Sequence, residues 1–351
     1  MELRMGVSKS YGPFRLDADF SVNGDRVGIF GESGSGKSTL VGMLAGLVEP
    51  DDGTISLDGE TLYSRSGGIH TPTERRRIAM VFQQPSLFPH LSVRNNLLYG
   101  YRRCAPQHRR VDFEPLVRVL KLEELLDRGV NNLSGGEQQR VAIGRAVLAS
   151  PRLLIMDEPL SALDDDLKFQ IIPYLTGVCG RFGIPFLFIS HSLLEMRLMA
   201  DTVLMFDKGL LVEQGSSDEL ARRRMGLGQV GYINLLRLGR PVGSNGLHTF
   251  AWGGCHLLLS AAPKSETGLY ELSSRDIILF KQHPEAISAR NLLKGRVVTI
   301  FESGGKTGVE LACGDDRLIA EVVHEAAVEL DIRTGVELFA AVKASAFRPL
   351  C

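Results

Sequence analysis

The chain has 351 residues, 44% of them hydrophobic and 23% charged, proportions of a soluble globular protein long enough for two domains. Its formal net charge is −1, which excludes the basic excess of a general nucleic-acid binder, and no apolar run approaches the ~20 residues of a membrane-spanning helix. The five cysteines, Cys104, Cys179, Cys255, Cys313 and Cys351, are scattered with no Cys-x-x-Cys pair, so they read as reduced cytosolic thiols and not as a disulfide frame or zinc site.

In chain order, the start Met1-Glu2-Leu3-Arg4-Met5 has no apolar signal core. Residues 26–30 are a continuous apolar run, predicted as a buried strand. A helix is predicted over 37–47. Further apolar runs at 78–82, 153–156 and 186–189 read as buried strands. Continuous apolar strands interleaved with helices predict an α/β domain whose mostly parallel sheet is covered on both faces. The texture changes near Gly226-Leu227-Gly228-Gln229. Strand-like runs with glycine turns follow at 295–301, 308–313, 318–323 and 336–343, broken by a short helix at 325–330. They predict a small all-β barrel of the OB type. The expected organisation is the α/β domain over 1–230, a linker or first β segment over 231–286, and the barrel over 287–351. Residues 269–277 echo residues 339–347, a degenerate half-repeat.

The segment Gly31-Glu32-Ser33-Gly34-Ser35-Gly36-Lys37-Ser38-Thr39 fits the P-loop pattern and stands between a predicted strand and a predicted helix. Its glycines let backbone N–H groups turn onto phosphate oxygens, and the helix start adds favourable dipole potential. Lys37 is placed to reach the β- and γ-phosphates of ATP, and Ser38 to ligate Mg²⁺. Four apolar residues then end in two acids, Asp157 and Glu158. A parallel strand delivers such acids beside the P-loop. Asp157 suits the Mg²⁺ shell, and Glu158 suits polarising the attacking water as general base.

Asn132-Leu133-Ser134-Gly135-Gly136-Glu137-Gln138-Gln139-Arg140 precedes those acids. Ser134 and Glu137 form a capping-box pattern. The two glycines add a second helix start that an anion can approach, which implies a composite site. This segment resembles the signature of the ABC ATPases. The resemblance extends over residues 1 to about 220. It implies that Gln83 is the Q-loop glutamine and a Mg²⁺ ligand, that Ser161-Ala162-Leu163-Asp164 is the D-loop, and that His191 is the switch histidine. It implies that Tyr11 stacks on adenine. It further implies a head-to-tail homodimer in which Ser134, Gly135, Gly136 and Glu137 of one copy face the γ-phosphate held by the other.

Pro85-Ser86-Leu87-Phe88-Pro89 follows Gln83. In importers of this family such a region receives the membrane subunit; Leu87 and Phe88 fit either an exposed docking groove or a buried loop anchor. The tail resembles a molbindin-like module at 287–297 and 341–345, as found on molybdate importers. That likeness implies two transmembrane permease subunits, an extracytoplasmic oxyanion-binding protein acting through them, and a peripheral place on the cytoplasmic face of the inner membrane. Sulfate, iron and polyamine importers share the scaffold and stay open as alternatives. Ser288, Arg290 and Lys343 supply a hydroxyl and two cations suited to an oxyanion, or else are surface charges on a packing barrel. Where the family carries Thr-x-x-Ser, this chain has Val323-His324-Glu325-Ala326. Val323 and Ala326 are expected in a packed interior, and oxyanion binding is expected to be weak.

Overall fold

A computed structural model of the chain describes every residue except 162, 164, 228–230, 245, 262–267, 286 and 351, and also leaves out the side chains of Asp166 and Ser244. The chain divides into two units, Met1–Ser217 and Asp218–Cys351.

Among the described residues, the strands of the first unit are β1 (Glu2–Tyr11), β2 (Phe14–Asn23), β3 (Arg26–Phe30), β4 (Asp52–Leu57), β5 (Glu60–Ser64) and β6 (Ile69–His70), then β7 (Ile78–Val81), β8 (Leu153–Asp157), β9 (Phe186–Ser190), β10 (Thr202–Asp207) and β11 (Leu210–Ser216). They form one sheet of order β6-β5-β4-β1-β2-β11-β10-β3-β9-β8-β7. The block β10, β3, β9, β8 and β7 is parallel throughout, as expected for fully apolar runs. The other half is mainly antiparallel, so the sheet is mixed. The physical reason lies in the side chains. β9 is buried at every position, whereas β2 alternates buried and exposed residues along its length. One-sided strands suit antiparallel pairing with a wet face.

Helix α1 (Lys37–Ala45) follows β3. It ends at Gly46, left-handed at φ 82°, whose N–H returns to the last turn, so the glycine stops the predicted helix two residues early. The wholly buried Arg76 also closes this end, donating through Nη1 to the carbonyls of Met43 (2.7 Å) and Leu44 (2.9 Å). Helices α2 (Val93–Tyr101), α3 (Phe113–Val119) and α4 (Gly135–Leu148) lie between β7 and β8. Helix α5 (Asp165–Phe182) follows β8, α6 (Leu193–Met199) follows β9, and α7 (Ser217–Arg223) begins at the division.

The described strands of the second unit are β12 (Ile233–Leu238), β13 (Gly243–Ser244), β14 (His248–Trp252), β15 (Cys255–Leu259), β16 (Gly268–Ser273) and β17 (Ile277–Phe280), then β18 (Asn291–Ser303), β19 (Lys306–Cys313), β20 (Asp316–Val323), β21 (Glu337–Val342) and β22 (Arg348–Pro349), with the short helix α8 (His324–Glu329) before β21. β17-β21-β18-β19-β20 is an antiparallel five-stranded sheet, the curled all-β module expected. One apolar cluster runs from Leu236 to Phe347. The echo between 269–277 and 339–347 becomes a structural relation. Each segment is a strand, a 3₁₀ turn and a short strand (β16, Ser274–Asp276, β17; β21, Ala344–Ala346, β22). They pair reciprocally, with Tyr270 opposite Pro349 and Leu279 opposite Ala340. The hairpin turns β14–β15 and β19–β20 also meet: a Cβ on Gly314 would stand 1.6 Å from the Gly253 carbonyl oxygen, so backbone touches backbone and only glycine fits. Val323 departs from expectation. It is 43% exposed, because it is the N-cap residue of α8, where the chain turns out of the sheet.

Candidate functional site

The parallel block places the candidate residues at one edge. Strands β3, β8 and β9 are neighbours, and their carboxyl ends deliver the loop starting at Gly31, the acids Asp157 and Glu158, and Ser190-His191. For the acids this is the placement expected from the sequence, because parallel βα units put their functional loops on that side; His191, expected only from the family resemblance, lies at the same edge.

The loop 31–36 is shaped for close approach. Gly34 and Gly36 are left-handed, at φ 82° and 96°. A Cβ on Gly31 would come 2.3 Å from the Phe206 carbonyl oxygen. Ser35 is buried, and Glu32, Ser33 and Ser38 are exposed, with Thr39 half-buried. Helix α1 has no side-chain cap at Gly36, so its first N–H groups are open to an anion. Lys37 is 5% exposed. Its Nζ donates to the carbonyls of Gly31 (2.8 Å) and Glu32 (2.7 Å), folded back over the hollow a phosphate would fill. Burial pushes the ammonium below its ordinary pKa, and the carboxylates of Glu158 and Asp157 oppose that.

Burial pushes the Asp157 carboxyl up and Glu158 adds to the rise, while a hydrogen bond from the Ser38 hydroxyl and the charge of Lys37 hold it back. The structure thus joins Ser38, Asp157 and Lys37 in one cluster. No group of three or more His, Cys, Asp or Glu side chains forms a metal cage among the described residues. One carboxylate with one hydroxyl is the kind of partial donor set that Mg²⁺ completes with phosphate oxygens and water, so the residues fit.

Glu158 stands at φ 43°, strained for a residue with a Cβ. Its N–H donates to the Ile189 carbonyl (3.2 Å), and its own carbonyl accepts from the Ser161 hydroxyl (3.0 Å). The carboxylate lies 3.7 Å from His191 Nδ1, with His191 63% exposed. Gln83 is exposed just beyond β7, the neighbour of β8. Tyr11 is 48% exposed at the tip of the β1–β2 hairpin. That hairpin reaches the loop, since a Cβ on Gly36 would stand 3.1 Å from the Phe14 ring.

Helix α4 opens with the predicted capping box. Ser134 Oγ accepts from the Glu137 N–H (3.3 Å), and the Glu137 carboxylate accepts from the Ser134 N–H (2.7 Å). Hydrogen bonds from the Ser134 N–H and then its hydroxyl hold the Glu137 carboxyl below its ordinary pKa. Gly135 is exposed, but Gly136 is buried, where a Cβ would meet Leu167 at 2.9 Å. The second glycine thus packs closely against the Leu167 side chain of α5. Asp164 and Ala162 lie outside the described residues. Phe88 is half-buried and anchored, its ring 4.3 Å from that of Tyr99 and 5.1 Å from the Arg145 guanidinium. The exposed aromatic nearby is Phe82, at 42%.

In the second unit a cavity of about 450 Å³ is lined by Ser288 and Lys343 together with Arg275, Asp276, Ile278 and Phe280. Arg290 is exposed and not in its wall. The structure thus unites two of the three candidate oxyanion residues and adds a carboxylate beside them.

Sequence reasoning missed Glu195, Ser190 and Arg145. The pattern Ser192-x-x-Glu195 points to a capping box, but only half of it forms. Ser192 Oγ accepts from the Glu195 N–H (3.3 Å), while the carboxylate turns inward to accept from Ser190 Oγ (2.5 Å).

A family model described as ABC transporter matches residues 17–161, and a TOBE domain model matches residues 287–348. The chain is 37% identical to the molybdenum import ATP-binding protein ModC of Paramagnetospirillum magneticum over 354 residues, covering 97% of this chain and 96% of the relative. It is 38% identical to the protein of the same name from Rhizobium etli over 350 residues, covering 98% of each. Among solved structures, cbiO1 from Clostridium perfringens, part of the ABC transporter complex cbiONQ, aligns with a TM-score of 0.54 and 27% identity over 65% of this chain and 95% of its own. The dimeric bacterial ABC transporter cassette MJ0796 aligns with a TM-score of 0.51 and 25% identity over 62% and 99%.

Proposed function

The chain belongs to the ABC transporter family of ATP-binding proteins, and from that premise we propose that it drives the uptake of molybdate or tungstate through a separate membrane channel. It is an ABC-type ATPase. The substrate reading is supported by the likeness to molybdenum import proteins over nearly the full length of both chains. The chemical reading rests on one observation: Glu158 and His191 meet 3.7 Å apart at the ends of β8 and β9, the latter paired with the P-loop strand β3.

In this reading the first N–H groups of α1 and the Lys37 ammonium bind the β- and γ-phosphates. Ser38, Asp157 and Gln83 hold Mg²⁺, which when bound neutralises charge on those phosphates. Glu158 takes the proton of the attacking water, and its backbone, fixed to Ile189 and Ser161, keeps the carboxylate aimed. His191 donates toward the γ-phosphate and orients Glu158. Tyr11 stacks on the adenine. Ser134, Gly135 and Glu137 complete the site of a second copy, so the working form is a homodimer. Two permease subunits and an extracytoplasmic binding protein complete the importer, with this chain peripheral on the cytoplasmic face. No described helix is long and apolar enough to cross a membrane, which fits that arrangement.

The test uses the full chain reconstituted with its permease and binding protein in proteoliposomes. Molybdate should stimulate ATP hydrolysis and sulfate should not. In the same system Glu158→Gln should keep ATP binding and lose roughly 10²–10⁴-fold in turnover. Equal stimulation by sulfate would reject the substrate, and wild-type turnover of Glu158→Gln would reject the chemistry.

A further inference from the structure

We propose that Glu195 is a positioning residue for His191, tying the loop that carries the histidine to the start of α5 through Lys168.

The observation is a buried carboxylate whose two oxygens serve two different elements. Glu195 on α6 is 7% exposed. Its Oε2 accepts from the Ser190 hydroxyl at 2.5 Å, and Ser190, itself 3% exposed, immediately precedes His191. The same hydroxyl oxygen accepts from the Ser192 N–H at 3.0 Å. Ser190 therefore grips the backbone on the far side of the histidine while Glu195 grips Ser190. Glu195 Oε1 lies 3.6 Å from Lys168 Nζ. Lys168 sits in the first turn of α5 and also pairs with Asp165 at 3.2 Å.

A buried carboxylate is costly unless paired and hydrogen-bonded. Glu195 meets both needs, but its partners lie on separate elements, so neither element can shift without disturbing it. The start of α5 follows the 161–164 segment directly, and α5 also carries Leu167, packed against Gly136 at the start of α4. Displacement of that region would reach His191 through Lys168, Glu195 and Ser190. Glu195 acts through Ser190 and Lys168, so its part is placement and not proton transfer.

The inference rests on the reading of His191 as a group that acts on the γ-phosphate. Steady-state ATPase kinetics of the purified full-length chain test it, with nucleotide binding and thermal melting measured alongside. Glu195→Gln and Ser190→Ala should lower kcat roughly tenfold to a hundredfold, the scale of a misplacement of about 1 Å, with KM within about twofold of wild type. Ser190→Thr, which keeps the hydroxyl, should retain most of kcat. Lys168→Met should lower kcat in the wild-type background and add little in the Glu195→Gln background, as for residues acting in one chain. A purely structural role would instead lower melting temperature and active fraction, and Ser190→Thr would give no selective rescue. If His191→Ala is inactive while Glu195→Gln and Lys168→Met keep wild-type kcat, the proposal is overturned and the reading of His191 stands. If His191→Ala itself keeps turnover, both fall. Should Glu195→Gln not fold, Lys168→Met, which alters a partly exposed side chain, decides: unchanged kcat overturns the proposal.

Discussion

Asn234 and Asn291 make the same set of hydrogen bonds at matching places in the two halves of the second unit. Asn234 Nδ2 donates to the carbonyls of Leu272 (3.2 Å) and Ile319 (2.9 Å), and its Oδ1 accepts from the Ile319 N–H (2.7 Å). Asn291 Nδ2 donates to the carbonyls of Val342 (3.3 Å) and Leu258 (2.8 Å), and its Oδ1 accepts from the Leu258 N–H (2.7 Å). Each asparagine joins a neighbouring strand to the far hairpin, so the pair pins two halves of a duplicated design. Replacing either by Ala should cost about 2–4 kcal/mol, since it leaves buried N–H and C=O groups unpaired. Calorimetric melting of the full chain checks this; a loss below about 0.5 kcal/mol at both sites would mean that water replaces the side chain.

Glu310 is a buried charge of the second unit, with its carboxylate held by Arg222 (2.9 and 3.1 Å) and Arg317 (3.4 Å). The Arg222 bonds hold its pKa below the ordinary 4.5. A depressed carboxyl pKa stabilises the fold above the unfolded value, and that stability is lost as pH falls through the folded value. The unit should therefore lose stability below pH 4.5, and Glu310→Gln should flatten that loss. At pH 7 Arg222→Met should cost roughly 2–4 kcal/mol, because it strands a buried charge that Arg317 only partly covers. Urea titrations at several pH values measure both.

The backbone at Glu158 stores strain that only glycine would release. Glu158→Gly should melt above Glu158→Ala by about 1 kcal/mol, since both lose the carboxylate but only glycine adopts φ 43° freely. Both should be inactive. Equal melting temperatures would show that the turn relaxes around the alanine.

The segment after Gln83 is held by side chains of two helices. Arg145 donates to the carbonyls of Ser86 (2.9 Å) and Pro85 (3.3 Å), and the wholly buried Asn96 accepts from the Phe88 N–H (2.9 Å) and donates to the Phe88 carbonyl (3.1 Å). Arg145→Met should raise amide hydrogen exchange across residues 85–91 with little change in β8 or β9. Uniformly faster exchange would instead mark global destabilisation.

A site shared between copies predicts complementation. Mixing Lys37→Ala with Ser134→Arg gives mixed dimers with one doubly impaired site and one intact site. Hydrolysis should rise above that of either variant alone. If mixed dimers form by pull-down and remain inactive, the shared site is wrong.

The phosphate loop was legible because its chemistry is local: strand, glycines, lysine and helix are contiguous from 26 to 45, and each step follows from neighbours in the chain. The capping box of Ser134 and Glu137 was legible for the same reason. The antiparallel half of the first sheet was less so, because it depends on which face of β1 and β2 finds a partner. In the second unit a repeated Asn-Leu-Leu followed by a basic residue, at 234–237 and 291–294, was a second, shorter sign of duplication beside the fainter echo of 269–277 in 339–347.

The sequence by itself determined that the apolar strands carrying the loop and the acids lie parallel in one sheet, since a parallel strand end offers its residues to one side of the sheet whatever lies elsewhere; their order in that sheet, with β9 between β3 and β8, came from the tertiary structure. Only the tertiary structure decided that Gly136 lies against Leu167, that Arg290 stands outside the cavity of Ser288 and Lys343, and that Glu195 turns from its own helix cap to Ser190 and Lys168. Those outcomes turn on side chains distant in sequence competing for one buried space. A carboxylate or a missing Cβ looks the same in the sequence whichever partner fills that space.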